Sequence, residues 1–147
     1  MPRTADENAA HIAATLSRLE GTSPAWGIAI EEARVGYARI AMRLRADMLN
    51  GHGTAHGGML FALADTAFAY ACNSRGVKTV AAQASMTFLA PALEGELLIA
   101  EAVEQALAGR TGVYNVSVRG EDGRAIAEFQ GLSRSVGGPT IPDGDTQ

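Results

Sequence analysis

The chain has 147 residues, 47% of them hydrophobic and 19% charged, which fits one domain with a substantial core. A formal net charge of −4, with no dense basic stretch, argues against nucleic acid or an anionic membrane as partner. The single cysteine, Cys72, rules out an intramolecular disulfide framework, and residues 1–20 lack the apolar region of a signal peptide, so the expected location is the cytoplasm.

In chain order, the spacing of Ile12, Leu16 and Leu19 predicts a helix from residue 6 to about 20, with Gly21 as its stop. Two strands follow. In the first, Ile28 and Ile30 alternate with smaller residues. In the second, Ala38, Ile40, Met42 and Leu44 alternate with Arg39, Ala41, Arg43 and Arg45, and Gly36 reads as the turn or bulge between the two. Residues 46–56 form a loop around Asn50-Gly51-His52-Gly53. An apolar helix then runs from Gly57 to about Arg75, with Gly76 as its C-terminal stop. Its Met59–Cys72 stretch is shorter than the roughly 20 residues of a membrane span and contains Asp65, so it is predicted as a core helix.

The remaining chain predicts strands over Val77–Leu89, Glu96–Leu107, Val113–Arg119 and Arg124–Ser133. In the first of these, Val80, Ala82, Ala84, Met86 and Phe88 are expected on one face. Pro91 with Gly95, Gly109 to Gly112, and Glu121-Asp122-Gly123 supply the turns. The expected division is an N-terminal helical segment over 1–24, the main domain over 25–136, and a mobile tail over 137–147 rich in Gly, Pro and Asp. The fold class is α+β: a helix with no polar side must be wrapped by the one antiparallel sheet available.

Two features carry chemistry. Gly57-Gly58 at a helix start would let a ligand approach free backbone N–H groups at the positive end of the helix dipole, where an oxyanion is stabilised; the same glycines could simply allow close packing. Asp65 places a carboxylate inside an apolar helix, which costs several kcal/mol unless it is paired, for instance with Arg39 or Arg43, or used. Eight residues separate Gly57 from Asp65, so about 12 Å of helix rise and roughly 80° of rotation lie between them. If both act on one bond, a twofold dimer with the helix start of one subunit facing Asp65 of the other is the natural arrangement.

The stretch Met48-Leu49-Asn50-Gly51-His52, then His56-Gly57-Gly58, then Leu63 to Ser74 resembles the hotdog-fold thioesterases of phenylacetate degradation, the PaaI type. Phe88-Leu89-Ala90-Pro91 and Gly109-Arg110-Thr111-Gly112-Val113-Tyr114 agree, and the resemblance covers roughly residues 25 to 138. It implies a five- or six-stranded antiparallel sheet around one long helix, paired into homodimers and usually homotetramers. It also implies hydrolysis of acyl-CoA thioesters, notably of ring-hydroxylated phenylacetyl groups, with no metal and no cofactor beyond the coenzyme A of the substrate. By resemblance, Asp65 is the catalytic carboxylate and general base or nucleophile, and Gly57 is the helix-start amide. Asn50 and His56 then help hold the thioester and the attacking water.

Gly58 at the same helix start, and the cations Arg75, Lys78, Arg110 and Arg134, are further candidates for substrate contacts; the cations suit the phosphates of CoA, though each could be an ordinary solvated charge. Cys72 reads as core, His11 as a surface residue of the first helix, and His52 as a turn residue without a role of its own. Two other functions remain open on sequence: a hotdog acyl-CoA hydratase or dehydratase, and a non-catalytic acyl-CoA-binding protein. Thiol release, enoyl hydration, and binding without turnover distinguish the three.

Overall fold

A computed structural model describes residues 1–142. Helix α1 (Ala5–Leu19) begins at a capping box, where the Thr4 hydroxyl accepts from the Glu7 N–H and the Glu7 carboxylate accepts from the Thr4 N–H. It buries Ala9, Ile12, Ala13 and Thr15. A short helix α2 (Thr22–Trp26), which the sequence pattern does not announce, follows directly. The expected boundary between residues 24 and 25 therefore falls inside α2. Because Ala13 joins the main core, Trp26 packs against it and the Asp6 carboxylate accepts from the Val35 N–H, the N-terminal helices and the sheet share one hydrophobic core.

The strands are β1 (Ala29–Arg34), β2 (Tyr37–Arg43), β3 (Val77–Phe88), β4 (Leu97–Ala108), β5 (Thr111–Gly120) and β6 (Ala125–Pro139). They form one antiparallel sheet in the order β1-β2-β4-β5-β6-β3, with α3 (Gly57–Cys72) between β2 and β3 in the chain and packed against the sheet. The inward residues of the central strands, among them Ile40, Met42, Leu98, Val116, Val118 and Phe129, meet Leu60, Leu63, Ala67 and Phe68 of the helix. Phe68 stacks edge-on against Tyr114 and tilts against Phe129, and Gly131 leaves the room its ring occupies.

Helix α3 ends three residues earlier than expected because Asn73 stops it. The Asn73 amide donates to the carbonyls of Ala69 (2.9 Å) and Thr79 (3.0 Å), and its oxygen accepts from the Thr79 N–H (3.0 Å) and the Thr140 hydroxyl (3.1 Å). That one buried side chain ties the helix end to β3 and to the C-terminal segment. The segment expected to be mobile from Gly137 is accordingly held through Ile141: Pro139 pairs opposite Val77, the Thr140 N–H donates to the Gly76 carbonyl, and Ile141 is buried. Residues 143–147 of that expectation lie outside the described residues.

Strand β3 departs from the expected pattern. A register shift between Ala81 and Gln83 turns the strand over, so that Ala84 and Met86 oppose Gly131 and Phe129 while Val80 opposes the exposed Arg134. Ala84, Met86 and Phe88 share the inner face as expected; Val80 belongs to the outer one. β3 is also an edge strand, twelve residues long and largely exposed, with Val77, Val80 and Phe88 all open to solvent.

Candidate active site

The loop before α3 is held as a rigid platform by Asn50. Its side-chain oxygen accepts from the N–H groups of His52 (2.9 Å) and Thr54 (3.2 Å), and its amide donates to the Thr54 hydroxyl (3.0 Å). The His56 N–H donates to the Met48 carbonyl (2.9 Å), and short bridges join Leu49 to Ala55 and Thr54 to Leu93. His56 then caps the helix: its Nδ1 accepts from the Gly58 N–H (2.9 Å), which leaves the ring's proton on Nε2. Met59 and Leu60 donate to the His56 carbonyl. Of the first helical N–H groups, that of Gly57 has no acceptor among the described residues. It borders a cavity of about 370 Å³ walled by Asn50, Phe88, Leu89 and Pro91. The packing reading of the glycines also holds in part, since a Cβ on Gly57 would lie 3.2 Å from the Phe88 ring.

Asp65 is half-buried, and among the described residues nothing pairs with it. The two arginines considered from sequence are occupied: Arg39 binds Glu31 (2.8 Å) and Glu32 (3.4 Å), and Arg43 donates to the Gly95 carbonyl (2.8 Å). Burial without a compensating partner pushes the Asp65 carboxyl above the ordinary aspartate range. Asp65 opens on a second cavity, of about 150 Å³, which does not include Gly57. One helix thus presents an unfilled donor at its start and an unpaired carboxylate in its middle, into separate spaces.

The structure brings Asn50, His56 and Gly57 together and leaves Asp65 apart from them. Asn50 spends most of its hydrogen-bonding capacity on its own loop. Arg75 is engaged by Glu104 through two hydrogen bonds (2.6 and 3.1 Å). Lys78, Arg110 and Arg134 have no ion pair among the described residues. They gather where β3, β5 and β6 meet beyond the C-terminal end of α3, with Arg134 opposite both Thr111 and Val80. Cys72 is buried, and burial together with the nearby Asp65 charge raises its thiol to about 12, which removes it as a nucleophile at neutral pH.

Two groups have no site role in the sequence reading. Phe88 to Pro91, which there carry only part of the family resemblance, wall the Gly57 cavity, and Glu20, Thr22 and Trp26 line the Asp65 cavity. The only tryptophan of the chain, just before a glycine that takes a left-handed conformation, was the available signal for the second group.

Comparison with known proteins bears on this arrangement. The family model described as the thioesterase superfamily matches residues 52–127, the stretch from the Asn50 loop to β6. The chain belongs to the thioesterase superfamily. It is a thioester hydrolase of the PaaI type: the acyl-coenzyme A thioesterase PaaI of Escherichia coli K12 is 42% identical over 119 residues, spanning 81% of this chain and 85% of that protein. The solved structure of the E. coli PaaI protein, from the phenylacetic acid degradation operon, covers 92% of this chain and 99% of its own with a TM-score of 0.91 at 38% identity. This thioesterase therefore has the hotdog fold, the sheet wrapped on α3. The TT0310 protein of Thermus thermophilus matches 80% of this chain and 98% of its own at 42% identity and a TM-score of 0.77. A hypothetical thioesterase of Streptococcus pneumoniae, solved with coenzyme A, matches 76% of this chain and 88% of its own at 25% identity and a TM-score of 0.74. No helix of the described residues is long and apolar enough to cross a membrane.

Proposed function

We propose that the protein hydrolyses acyl-CoA thioesters, with aromatic acyl groups of the ring-hydroxylated phenylacetyl kind as its substrates, and that each active site is shared by two protomers. The observation that carries the reading is the unpaired Asp65 carboxylate on a helix whose first N–H, that of Gly57, is also unfilled and faces a different cavity. The names of the E. coli thioesterase and of the coenzyme A complex support the choice of thioester.

In this mechanism the Gly57 N–H polarises the thioester carbonyl and stabilises the oxyanion that forms on it. Asp65 of the other protomer, ionised, either takes a proton from the water that attacks the carbonyl carbon, or attacks that carbon itself to give an acyl–aspartyl anhydride that water then hydrolyses. By either route the C–S bond breaks, the sulfur takes up a proton that water supplies, and CoA leaves as the thiol and the acyl group as the free acid. Asn50 holds the loop that aims Gly57, and His56 fixes the first helical turn while its Nε2–H remains available to the thioester or the water. Lys78, Arg110 and Arg134 are the cations open to the CoA phosphates. Arg75 is already committed to Glu104, which weakens its candidacy.

Two protomers can meet through the free edge of β3, whose unpaired backbone groups and exposed apolar side chains favour extension of the sheet. In the proposed dimer a twofold axis between the β3 edges sets the two α3 helices antiparallel, and the register the mechanism requires is the one that brings the start of each beside the middle of the other. Stacking of dimers into a tetramer accords with the family resemblance. The test is thiol release from a panel of acyl-CoA thioesters by the purified protein. Release that disappears in Asp65→Asn supports the reading; release at the parent rate in that variant overturns it.

A further inference from the structure

The cavity beside Asp65 is built from two parts of the chain that are far apart in sequence. One wall is the outward strip of α3, Ala62, Asp65 and Ala69; the other is the N-terminal segment, with Trp26 and Glu20. Of the three α3 residues other than Asp65 that line the cavity, Ala62, Thr66 and Ala69, two are alanines, and a larger side chain at either would occupy the space. A volume on the order of 150 Å³ suffices for one benzene ring. The wall opposite the alanines is an indole, whose face suits offset or edge-on packing with another ring.

Glu20 closes the cavity with a defined geometry. Its Oε1 accepts from the Ser23 hydroxyl (2.7 Å) and from the Tyr70 hydroxyl, and Ser23 and Tyr70 are themselves within 2.8 Å of each other. This buried network fixes the carboxylate to α3 through Tyr70, which is almost fully enclosed. Among the described residues its Oε2 is met only by the Thr22 hydroxyl, at 3.5 Å, the outer limit of a hydrogen bond. One carboxylate oxygen is therefore pinned and the other retains acceptor capacity beside the cavity.

We propose that Trp26 and Glu20 are the acyl-specificity residues: the acyl group of the thioester lies between the Trp26 indole and the Ala62–Ala69 strip, and Glu20 Oε2 accepts from a hydroxyl on its far side. The inference rests on the thioesterase reading above and assigns a task to the N-terminal helices. They bring the apolar wall and the acceptor to a site whose reacting groups all lie on α3.

The test is kcat/KM of the full-length enzyme for phenylacetyl-CoA, 4-hydroxyphenylacetyl-CoA and butanoyl-CoA. Trp26→Ala is expected to lower the aryl-to-butanoyl ratio at least about tenfold, the range in which lost apolar contact discriminates substrates. Ala69→Leu fills the cavity from the opposite wall and should lower the same ratio without touching the N-terminal fold, so the proposal stays testable if Trp26→Ala does not fold. Glu20→Gln can keep its one oxygen on Ser23 and Tyr70 but then turns an amide N–H2 donor, in place of the acceptor, toward the cavity, and should lower the hydroxylated-to-plain phenylacetyl ratio about fivefold or more. Ratios unchanged in Trp26→Ala and Ala69→Leu, with thiol release retained in the parent, overturn the acyl pocket alone. A parent that releases thiol from none of the three thioesters overturns the thioesterase reading and the pocket with it.

Discussion

At the scale of the residue, Asp65 sets a trade between stability and activity. Its raised pKa means that the folded protein binds this proton more tightly than the unfolded chain does. The cost of burying the charge is therefore absent below the ordinary aspartate value, appears as pH rises through the window up to the raised value, and is full at neutral pH. Asp65→Asn should raise Tm at neutral pH, with the gain over the parent closing in acid, while kcat falls by about 10²- to 10⁴-fold, the worth of a general base. Thermal melts across pH check the first part and thiol release the second. In the parent, kcat should fall as pH drops through a pKa above the ordinary aspartate range. Gly57 permits an equally sharp comparison. It is the first helical residue, where proline is tolerated, and His56 before it already has the extended conformation that proline requires of its neighbour (φ −62°, ψ 133°). Gly57→Pro removes the N–H, whereas Gly57→Ala adds the same crowding against Phe88 and keeps it. The loss of kcat on going from alanine to proline should be about 10²- to 10³-fold. Equal kcat in the two variants removes the N–H from the mechanism.

At the scale of the element, α3 is held by contacts that a sequence pattern announces only in part. Its apolar composition says that it is buried, but the depth of the groove is set by Gly131 on β6. A Cβ there would lie 2.8 Å from the Phe68 ring, which is already fixed by Tyr114 and Phe129. Gly131→Ala should cost about 1–3 kcal/mol of stability through overpacking, read as a lower denaturation midpoint. The strand β3 shows the limit of alternation as a guide. Its apolar residues keep a period of two across the whole stretch, yet the irregularity near Ala82 sends Val80 to the outer face and Ala84 to the inner. The bulge leaves no composition signature because apolar residues, Val80 and Ala81 before it and Ala84 after it, stand on both sides. The C-terminal segment is a parallel case, since its Gly and Pro content reads as loose chain while Asn73 and the Val77 pairing hold it down as far as Ile141.

At the scale of the whole molecule, the separation of Gly57 from Asp65 makes the proposed activity a property of an assembly. A protein with Gly57→Pro and one with Asp65→Asn, each nearly inactive, should regain activity when mixed under conditions of subunit exchange. Random pairing makes half of the dimers mixed, each with one intact site of two, so about a quarter of the parent activity is expected. No recovery with exchange demonstrated would show that the two groups act within one protomer. The unpaired β3 edge gives the same proposal a physical readout, because sedimentation should find no stable monomer at assay concentrations.

The class of fold, the central helix with its lone carboxylate, the glycine start and the family are all legible in the amino-acid sequence, because each is written in local pattern: apolar runs, turn residues, and a contiguous motif from Asn50 to Ser74. So is the separation of Gly57 and Asp65, about 12 Å along one helix, since helical rise is fixed. That Asp65 goes unpaired among the described residues is a matter of long-range packing, for it depends on Arg39 and Arg43 finding Glu31, Glu32 and the Gly95 carbonyl instead. The same holds for Trp26 and Glu20 beside Asp65, about forty residues away in the chain, because packing of α1 and α2 on the core, and not any local preference, sets which side chains from distant segments share a cavity.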